Sequence, residues 1–172
     1  LADLVERVLK SPRRQKRRIV ALAGAPASGK STLAEDLAAE LVDAGCAAQV
    51  VPMDGFHLDN AILSERGLLH RKGAPETFDV NGISELVSRL GHGAEVFHPT
   101  FDRARDISIA ASGVVGPACD TVIVEGNYLL LDAPIWRDLS GFWDLSVCLD
   151  VPRATLYERL VARWLKYGLS QD

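Results

Sequence analysis

Residues 24–31 read Gly-Ala-Pro-Ala-Ser-Gly-Lys-Ser, with two glycines, a lysine and a serine at fixed spacing. The apolar run 19–23 before them suits a buried strand, and residues 32–42 after them repeat apolar side chains at helical spacing. Glycines let backbone N–H groups converge on one point, and the N-terminus of the following helix adds partial positive charge there. Strand, glycine loop and helix in this order predict a P-loop that binds the phosphates of ATP or GTP.

The motif gives each of its residues an expected role. Lys30 can reach the β- and γ-phosphates, and Ser31 can ligate Mg²⁺. A Gly/Ser loop that matches the pattern by chance is the alternative, and the flanking strand and helix argue against it. The cofactors we predict are ATP and Mg²⁺, with the nucleotide held by Gly24, Ala25, Ala27, Ser28, Gly29, Lys30, Ser31 and Thr32.

Length and charge limit the other possibilities. A chain of 172 residues with 48% hydrophobic residues can form one domain with a single core. Its net charge of -4 argues against a general affinity for polyanions. The basic run 13–18 suits nucleic acid, an anionic membrane or a solvated terminal segment, and we favour the last because no aromatic residue is interleaved for base stacking. We therefore expect neither nucleic acid nor membrane as a partner.

Cysteine usage bears on the compartment. Cys46, Cys119 and Cys148 are far apart and form no C-x-x-C pair, so neither a zinc site nor a disulfide framework is indicated. A reducing cytoplasm fits this pattern best. Cys148 stands in an apolar run and is expected to pack as a small hydrophobic residue.

Periodicity along the rest of the chain predicts an α/β fold. Residues 1–9 form an amphipathic helix, and buried strands are expected at 47–53, 121–125 and 145–149. Helices are expected at 83–90 and 154–167, an edge strand or hairpin within 95–109, and a long irregular region over 54–81. Buried strands alternating with helices indicate a P-loop three-layer α/β/α sandwich with a mainly parallel sheet. We divide the chain into a helix with the basic run, 1–18, and a P-loop domain, 19–172.

Two carboxylates are expected at the carboxyl ends of neighbouring strands, where ligands bind in such folds. Asp54 can accept the proton of an attacking hydroxyl in a phosphoryl transfer, although a turn-forming Asp-Gly is the structural alternative. Glu125 follows four apolar residues and occupies the place of the acid that holds Mg²⁺, so Ser31 and Glu125 are the predicted metal site. An ordinary cap by this carboxylate is the alternative.

Polar residues in the irregular segments suggest a pocket for the phosphate acceptor. A hydroxylated or anionic acceptor would need donors such as His57, Arg71, Lys72, His98, Arg103, Arg105 and Asn127, with Tyr128 beside them. Any one of these alone also suits a solvated surface position. Arg159 and Arg163 share a helix face and can stabilise charge on the transferred group, or pair with neighbouring acids instead.

Four ordered motifs resemble those of the uridine kinase, phosphoribulokinase and bacterial pantothenate kinase group. They are residues 24–31, Met53-Asp-Gly-Phe-His57, residues 71–79 and Val122-Ile-Val-Glu-Gly-Asn127. Within the group the chain looks most like bacterial nucleoside/nucleotide kinase-like and fructose transport system kinase (fructokinase-like) proteins. The resemblance implies that Asp54 is the catalytic carboxylate, that Glu125 is the Walker-B-type acid, and that Arg159 and Arg163 lie on the helix entering the lid. The group continues beyond this helix, so the lid is expected to be incomplete here.

The reaction expected from these motifs is transfer of the γ-phosphoryl of Mg-ATP to a hydroxyl, with Asp54, Lys30, Arg159 and Arg163 as the catalytic residues. The acceptor is a sugar such as fructose, a nucleoside or a pantothenate-like alcohol, and a homodimer is left open. A nucleotide-binding switch or regulatory ATPase is the first alternative, because residues 79–82 match D-x-x-G, but no Asn-Lys-x-Asp segment is present. The second is a nucleic-acid-linked ATPase that uses the basic run.

Overall fold

Strands and helices alternate along the chain as the periodicity predicts. The structure, a computed structural model, describes the backbone of residues 1–166 and their side chains except at 163, 164 and 166. The helices are α1 (Ala2–Lys10), α2 (Lys30–Asp43), α3 (Asn60–Glu65), α4 (Val80–Gly91) and α5 (Arg153–Lys166). The strands are β1 (Arg18–Gly24), β2 (Ala48–Pro52), β3 (Val96–Asp102), β4 (Ile107–Val115), β5 (Thr121–Gly126) and β6 (Leu145–Leu149). Short 3-10 helices cover Met53–Phe56, Leu69–Arg71, Pro75–Thr77 and Trp136–Phe142.

The central sheet has four parallel strands in the order β2–β5–β1–β6. Every residue of β1 and β5 is buried, since helices cover both faces of the sheet. Val20 and Leu22 face one layer with Leu37 of α2, and α1 packs on α2 outside the sheet. Ile19 and Ala21 face the opposite layer, which includes α4. The predicted three-layer α/β/α sandwich is confirmed.

The region 54–81 is more ordered than the sequence suggested. It contains α3 and three of the 3-10 helices, so the prediction of an irregular loop is wrong there. Polar caps explain part of this order, because the Asp59 side chain accepts a hydrogen bond from the Ala61 N–H at the start of α3.

Of the edge strand and the hairpin that the sequence left open for residues 95–109, the hairpin is correct. Strands β3 and β4 pair antiparallel and form a sheet of their own. The hairpin packs on the 3-10 helix Met53–Phe56. A Cβ atom on Gly55 would lie 2.3 Å from the Pro99 carbonyl oxygen, so only glycine allows this approach. The hairpin is thereby held beside the turn that follows β2.

The basic run is not simply a solvated segment. Arg17 is 1% exposed, and its guanidinium donates hydrogen bonds to the carbonyls of Cys119, Leu90, Gly93 and Gly116. Arg18 is also buried and lies in β1. The prediction of a solvated run is therefore wrong for these two residues. Backbone carbonyls supply the partners of the buried Arg17 guanidinium, whereas Arg18 donates to Thr121 Oγ1 and to the Leu9 carbonyl and lies 3.6 Å from Asp120 Oδ1.

Cys46, Cys119 and Cys148 are free thiols. Cys148, however, is exposed, and the prediction that it packs in the core is wrong. It lies on β6, an edge strand of the described sheet, where alternate side chains are not covered. The helix predicted at 154–167 begins at Arg153, and Tyr167 lies outside the described residues. In residues 1–166, no helix combines the length and apolar character needed to cross a membrane.

Candidate active site

The loop between β1 and α2 has the tight geometry that the P-loop motif predicts. A Cβ atom on Gly24 would lie 2.7 Å from Ser28 Oγ and 3.1 Å from Leu149 Cβ, so there is no space for a side chain. Gly29 has φ +91° and forms the N-cap of α2, in the left-handed region that glycine adopts at little cost. The first N–H groups of a helix such as α2 are suited to bind phosphate oxygens.

Ser31 and Glu125 meet at the end of this loop. Ser31 Oγ donates a hydrogen bond of 3.0 Å to Glu125 Oε1 at the end of β5. Within residues 1–166 no group of three or more His, Cys, Asp and Glu side chains is placed to hold a metal. A hydroxyl beside one carboxylate nevertheless suits Mg²⁺, which keeps several waters and takes other ligands from nucleotide phosphates. The residues present therefore fit Mg-nucleotide.

Glu125 is 5% exposed, and its ionisation is affected by the neighbouring charges. Burial raises the pKa of this carboxyl, Lys30 opposes the rise, and the charge of Asp54 adds to it. Lys30 is thus close enough to Glu125 to act on it electrostatically. The positively charged P-loop lysine and the buried acid belong to one site.

Asp54 lies in the turn directly after β2, and β2 pairs with β5 so that Pro52 is opposite Glu125. The two acids therefore lie at neighbouring strand ends, as predicted: Glu125 in the last residues of β5 and Asp54 just after β2. The Asp54 side chain is 18% exposed, and Arg103 from the β3–β4 turn forms an ion pair with it. Asp54 both forms this turn and directs its carboxylate to a partner in another element.

His57 supports the turn that carries Asp54. Its Nδ1 lies 2.7 Å from the Asp54 carbonyl oxygen, and its ring packs against Phe78 and Phe101, with centroids 4.1 and 4.5 Å away. Burial lowers the pKa of His57, and the charge of Asp54 only partly opposes this effect. Burial therefore favours the neutral form of the ring that contacts the Asp54 carbonyl.

The other basic residues predicted to bind the acceptor form ion pairs with carboxylates. Lys72 Nζ lies 2.7 Å from Asp106 Oδ2, Arg71 Nε lies 2.5 Å from Glu76 Oε1, and Arg105 Nε lies 2.7 Å from Asp102 Oδ2. The structure brings Lys72 and Arg103 towards the ring of His57, because the charges of both affect its pKa. It shows no contact between Asp54 and either Arg71 or Arg105.

Asn127 follows β5 and is the other predicted acceptor ligand. Its Oδ1 is buried and has no hydrogen-bond partner among the described residues. The hydroxyl of the neighbouring Tyr128 donates a hydrogen bond of 2.6 Å to the Gly73 carbonyl, which is a structural contact within the fold. His98 is 5% exposed, and its Nδ1 lies 3.0 Å from the Pro99 carbonyl oxygen inside the hairpin, so it has a structural position.

Arg159 on α5 reaches the P-loop. Its Nη1 lies 3.3 Å from the Ala27 carbonyl oxygen and 3.4 Å from that of Ser28. Ala27 has φ 62°, an uncommon backbone conformation for a residue with a side chain. The contact places this arginine beside the phosphate-binding loop, as its predicted role requires. The side chain of Arg163 lies outside the described residues.

Sequence reasoning missed the acids that face the predicted cations. Arg71 and Glu76 are five residues apart, and Asp102 and Arg105 are three apart, so both pairs could have been recognised from spacing. The pair of Lys72 with Asp106 joins segments 34 residues apart, and no local pattern indicates it.

Comparison with known proteins agrees with this geometry. The chain is 34% identical to a Schizosaccharomyces pombe protein named "Putative uridine kinase", in an alignment that covers 97% of the chain and 74% of that protein. It is 36% identical to a pantothenate kinase of Nocardioides sp. over 86% of the chain and 48% of that protein. The chain belongs to the P-loop kinases of the uridine kinase and pantothenate kinase group.

A solved structure is similar over nearly all of this P-loop kinase chain. It is described as a "putative fructose transport system kinase" from Silicibacter sp. TM1040, with TM-score 0.95 and 58% identity over 99% of this chain and 84% of that one. The P-loop kinase chain spans 66% of Escherichia coli YggC, with which it is 40% identical, and about half of the curated pantothenate kinases that it matches. No family model matches it.

Proposed function

We propose that this chain transfers the γ-phosphoryl group of Mg-ATP to a hydroxyl of a small molecule. The observation that carries the proposal is the convergence of two acids on one P-loop: Glu125 accepts a hydrogen bond from Ser31, and Asp54 follows the neighbouring strand end. This arrangement provides a metal-side acid and a separate acid for the hydroxyl that attacks. Membership of a kinase group supports the same reaction.

Each residue then has a defined task. Bound Mg-ATP supplies the phosphoryl group and a metal charge that offsets its oxygens. The Lys30 ammonium and the backbone N–H groups of residues 24–32, except Pro26, would bind the phosphates, while Ser31 and Glu125 would hold the metal and its waters. Asp54 would accept the hydroxyl proton as the acceptor oxygen bonds to the γ-phosphorus and the bond from that phosphorus to the β–γ bridging oxygen breaks, with ADP as the leaving group. Arg159 adds positive charge beside the loop, a role in which Arg163 is a second candidate.

For the acceptor we propose a sugar such as fructose, with a nucleoside or a pantothenate-like alcohol as alternatives. The name printed for the Silicibacter structure supports the first, and those of the curated relatives support the others. Asn127 and the His57–Arg103 side of the site are the expected acceptor contacts. The cytoplasm is the proposed compartment, because all three cysteines are free thiols.

The structure gives little support to the alternative functions. Asp79 in the D-x-x-G match is the N-cap of α4 and accepts a hydrogen bond from the Gly82 N–H, so a helix start accounts for that pattern. In the basic run, Arg17 and Arg18 are buried and unavailable to nucleic acid. We therefore retain the phosphotransferase and no second function.

The test is a coupled ADP-release assay with Mg-ATP and a panel of sugars, nucleosides and pantothenate. We expect ADP release that depends on one acceptor class and falls by about 10²–10⁴-fold in Asp54→Asn. Asp43→Asn, a change of the same kind at the exposed end of α2, is the control and should leave the rate unchanged. ADP release that needs no acceptor, and that persists in Asp54→Asn, would contradict the proposal.

A further inference from the structure

The charge balance of the segments proposed to bind the acceptor indicates what kind of acceptor the site can take. Four basic residues lie in the segments 71–72 and 103–105, and each of them pairs with its own carboxylate. The pairs are Arg71–Glu76, Lys72–Asp106, Arg103–Asp54 and Arg105–Asp102. Among the described residues of these two segments, every positive charge is therefore matched by a negative one.

Lys72 is the most firmly engaged of the four. Its side chain is 15% exposed, and Nζ lies 2.6 Å from Asn60 Oδ1, 2.9 Å from the Asp106 carbonyl oxygen and 2.7 Å from Asp106 Oδ2. An ammonium group has three N–H donors, and three acceptors surround this one. An anionic acceptor molecule could bind Lys72 only by displacing one of them.

Arg103 could likewise bind an anionic acceptor only if its ion pair with Asp54 were broken. An acceptor carrying a carboxylate or phosphate would then place its charge near Asp54 and Glu125, and beside the phosphates of the nucleotide. Like charges in such a site repel, and no unpaired cation in residues 71–72 or 103–105 offsets the repulsion.

Asn127 provides an independent indication. Its buried Oδ1 has no partner in the described part of the chain and needs a hydrogen-bond donor. A hydroxyl can donate to this oxygen, whereas an ionised carboxylate or phosphate can only accept. Asn127 Oδ1 therefore favours a hydroxylated acceptor, and the case against an ionic group rests on the four ion pairs.

We propose, on the basis of the proposed function, that the acceptor is an uncharged polyhydroxylated molecule rather than a carboxylate or a phosphate ester. An unphosphorylated sugar or a nucleoside has this chemistry. Pantothenate and sugar phosphates do not.

The experiment compares acceptors in pairs that differ by one ionic group. The pairs are fructose and fructose 6-phosphate, glycerol and glycerate, and pantothenol and pantothenate, each assayed for kcat/KM with Mg-ATP in the full chain. In any pair that reacts, the neutral member is expected to be favoured by about tenfold or more, because like-charge contacts are strongly unfavourable in a partly desolvated site.

Two variants test whether the pairing is the cause. Asp106→Asn keeps the hydrogen-bond acceptor of Lys72 but leaves its charge unmatched, and should reduce the preference for the neutral member by about threefold, as expected for loss of one partly exposed ion pair. Glu6→Gln leaves Lys10 on α1 unmatched in the same manner, far from the site in the fold, and should not change the preference.

The outcomes separate the inference from the function on which it rests. Preference for the anionic member, or an unchanged preference in Asp106→Asn, would overturn the inference and leave the phosphotransferase intact. Absence of transfer to all six compounds and to uridine would overturn both.

Discussion

At the residue scale, the buried acid of the site is expected to reduce the stability of the ligand-free protein. Because burial, joined by the charge of Asp54, raises the pKa of Glu125, its protonated form is favoured in the folded state. The stability from this shift is fully present below about pH 4 and is lost as the pH rises through the raised folded-state pKa. At neutral pH the ionised group therefore opposes folding.

Glu125→Gln keeps an oxygen for Ser31 and removes the charge. We expect the variant to increase the free energy of unfolding on the order of 1 kcal/mol at pH 7.5, and the increase to disappear near pH 4. Urea unfolding at the two pH values measures this, with Glu85→Gln on the exposed face of α4 as the control. Equal stability of variant and parent at pH 7.5 would show that the buried charge is compensated. The same variant should need more Mg²⁺ for activity.

The positions and contacts of the candidate site residues differed in how far the sequence could predict them. The P-loop glycines, Ser31 and Glu125 were predictable because motif spacing fixes the local backbone and the strand order brings the ends together. The engagement of Arg103 was not, since Asp54 is 49 residues away in sequence and the pair depends on how the hairpin docks.

At the element scale, the β3–β4 turn is fastened at both ends. Arg103 holds one end to Asp54, and Asp106 holds the other to Lys72 and Asn60. Periodicity indicated a hairpin in this region but could not say that it would leave the main sheet. That outcome follows from the close contact of Gly55 with Pro99, which is a tertiary property.

Lys72→Met should release the turn without unfolding the domain. The turn contains Arg103 and Arg105, which are both exposed, and trypsin cleaves the peptide bond after an arginine. Limited proteolysis with trypsin can therefore measure how often the turn opens. We expect cleavage there to be about fivefold faster or more in Lys72→Met, since a partly buried ion pair of this strength controls a local opening. The control variant Lys10→Met removes an exposed ion pair on α1, and trypsin should cleave its β3–β4 turn at the same rate as in the parent protein. Identical cleavage rates in the two variants would mean that Lys72 does not hold the turn.

At the scale of the whole molecule, Arg17 joins distant parts of the chain. The carbonyls that it binds belong to α4, to the residues after it and to the connection between β4 and β5. Sequence analysis predicted the sheet and its layers because buried strands and amphipathic helices leave strong periodic patterns. A charged residue used as an internal crosslink leaves none, and inspection of the run 13–18 suggested the opposite.

Arg17→Met should be strongly destabilising, because several buried carbonyls lose their donor together. A loss of about 3 kcal/mol is expected. Urea unfolding measures it, and Arg14→Met is the control from the same basic run, since 57% of that side chain is exposed. A loss no larger than that of the control would contradict a central role for the buried guanidinium.

The fate of the γ-phosphoryl group tests the central claim most directly. Phosphorus NMR of Mg-ATP with the protein and a neutral sugar or nucleoside distinguishes a phosphate ester on the acceptor from inorganic phosphate. The proposed function predicts that an ester signal grows as the γ-phosphate signal declines, and that Asp54→Asn slows this growth by about 10²–10⁴-fold. Release of inorganic phosphate alone, at the same rate in parent and variant, would show that the chain is a hydrolase in which Asp54 has no part.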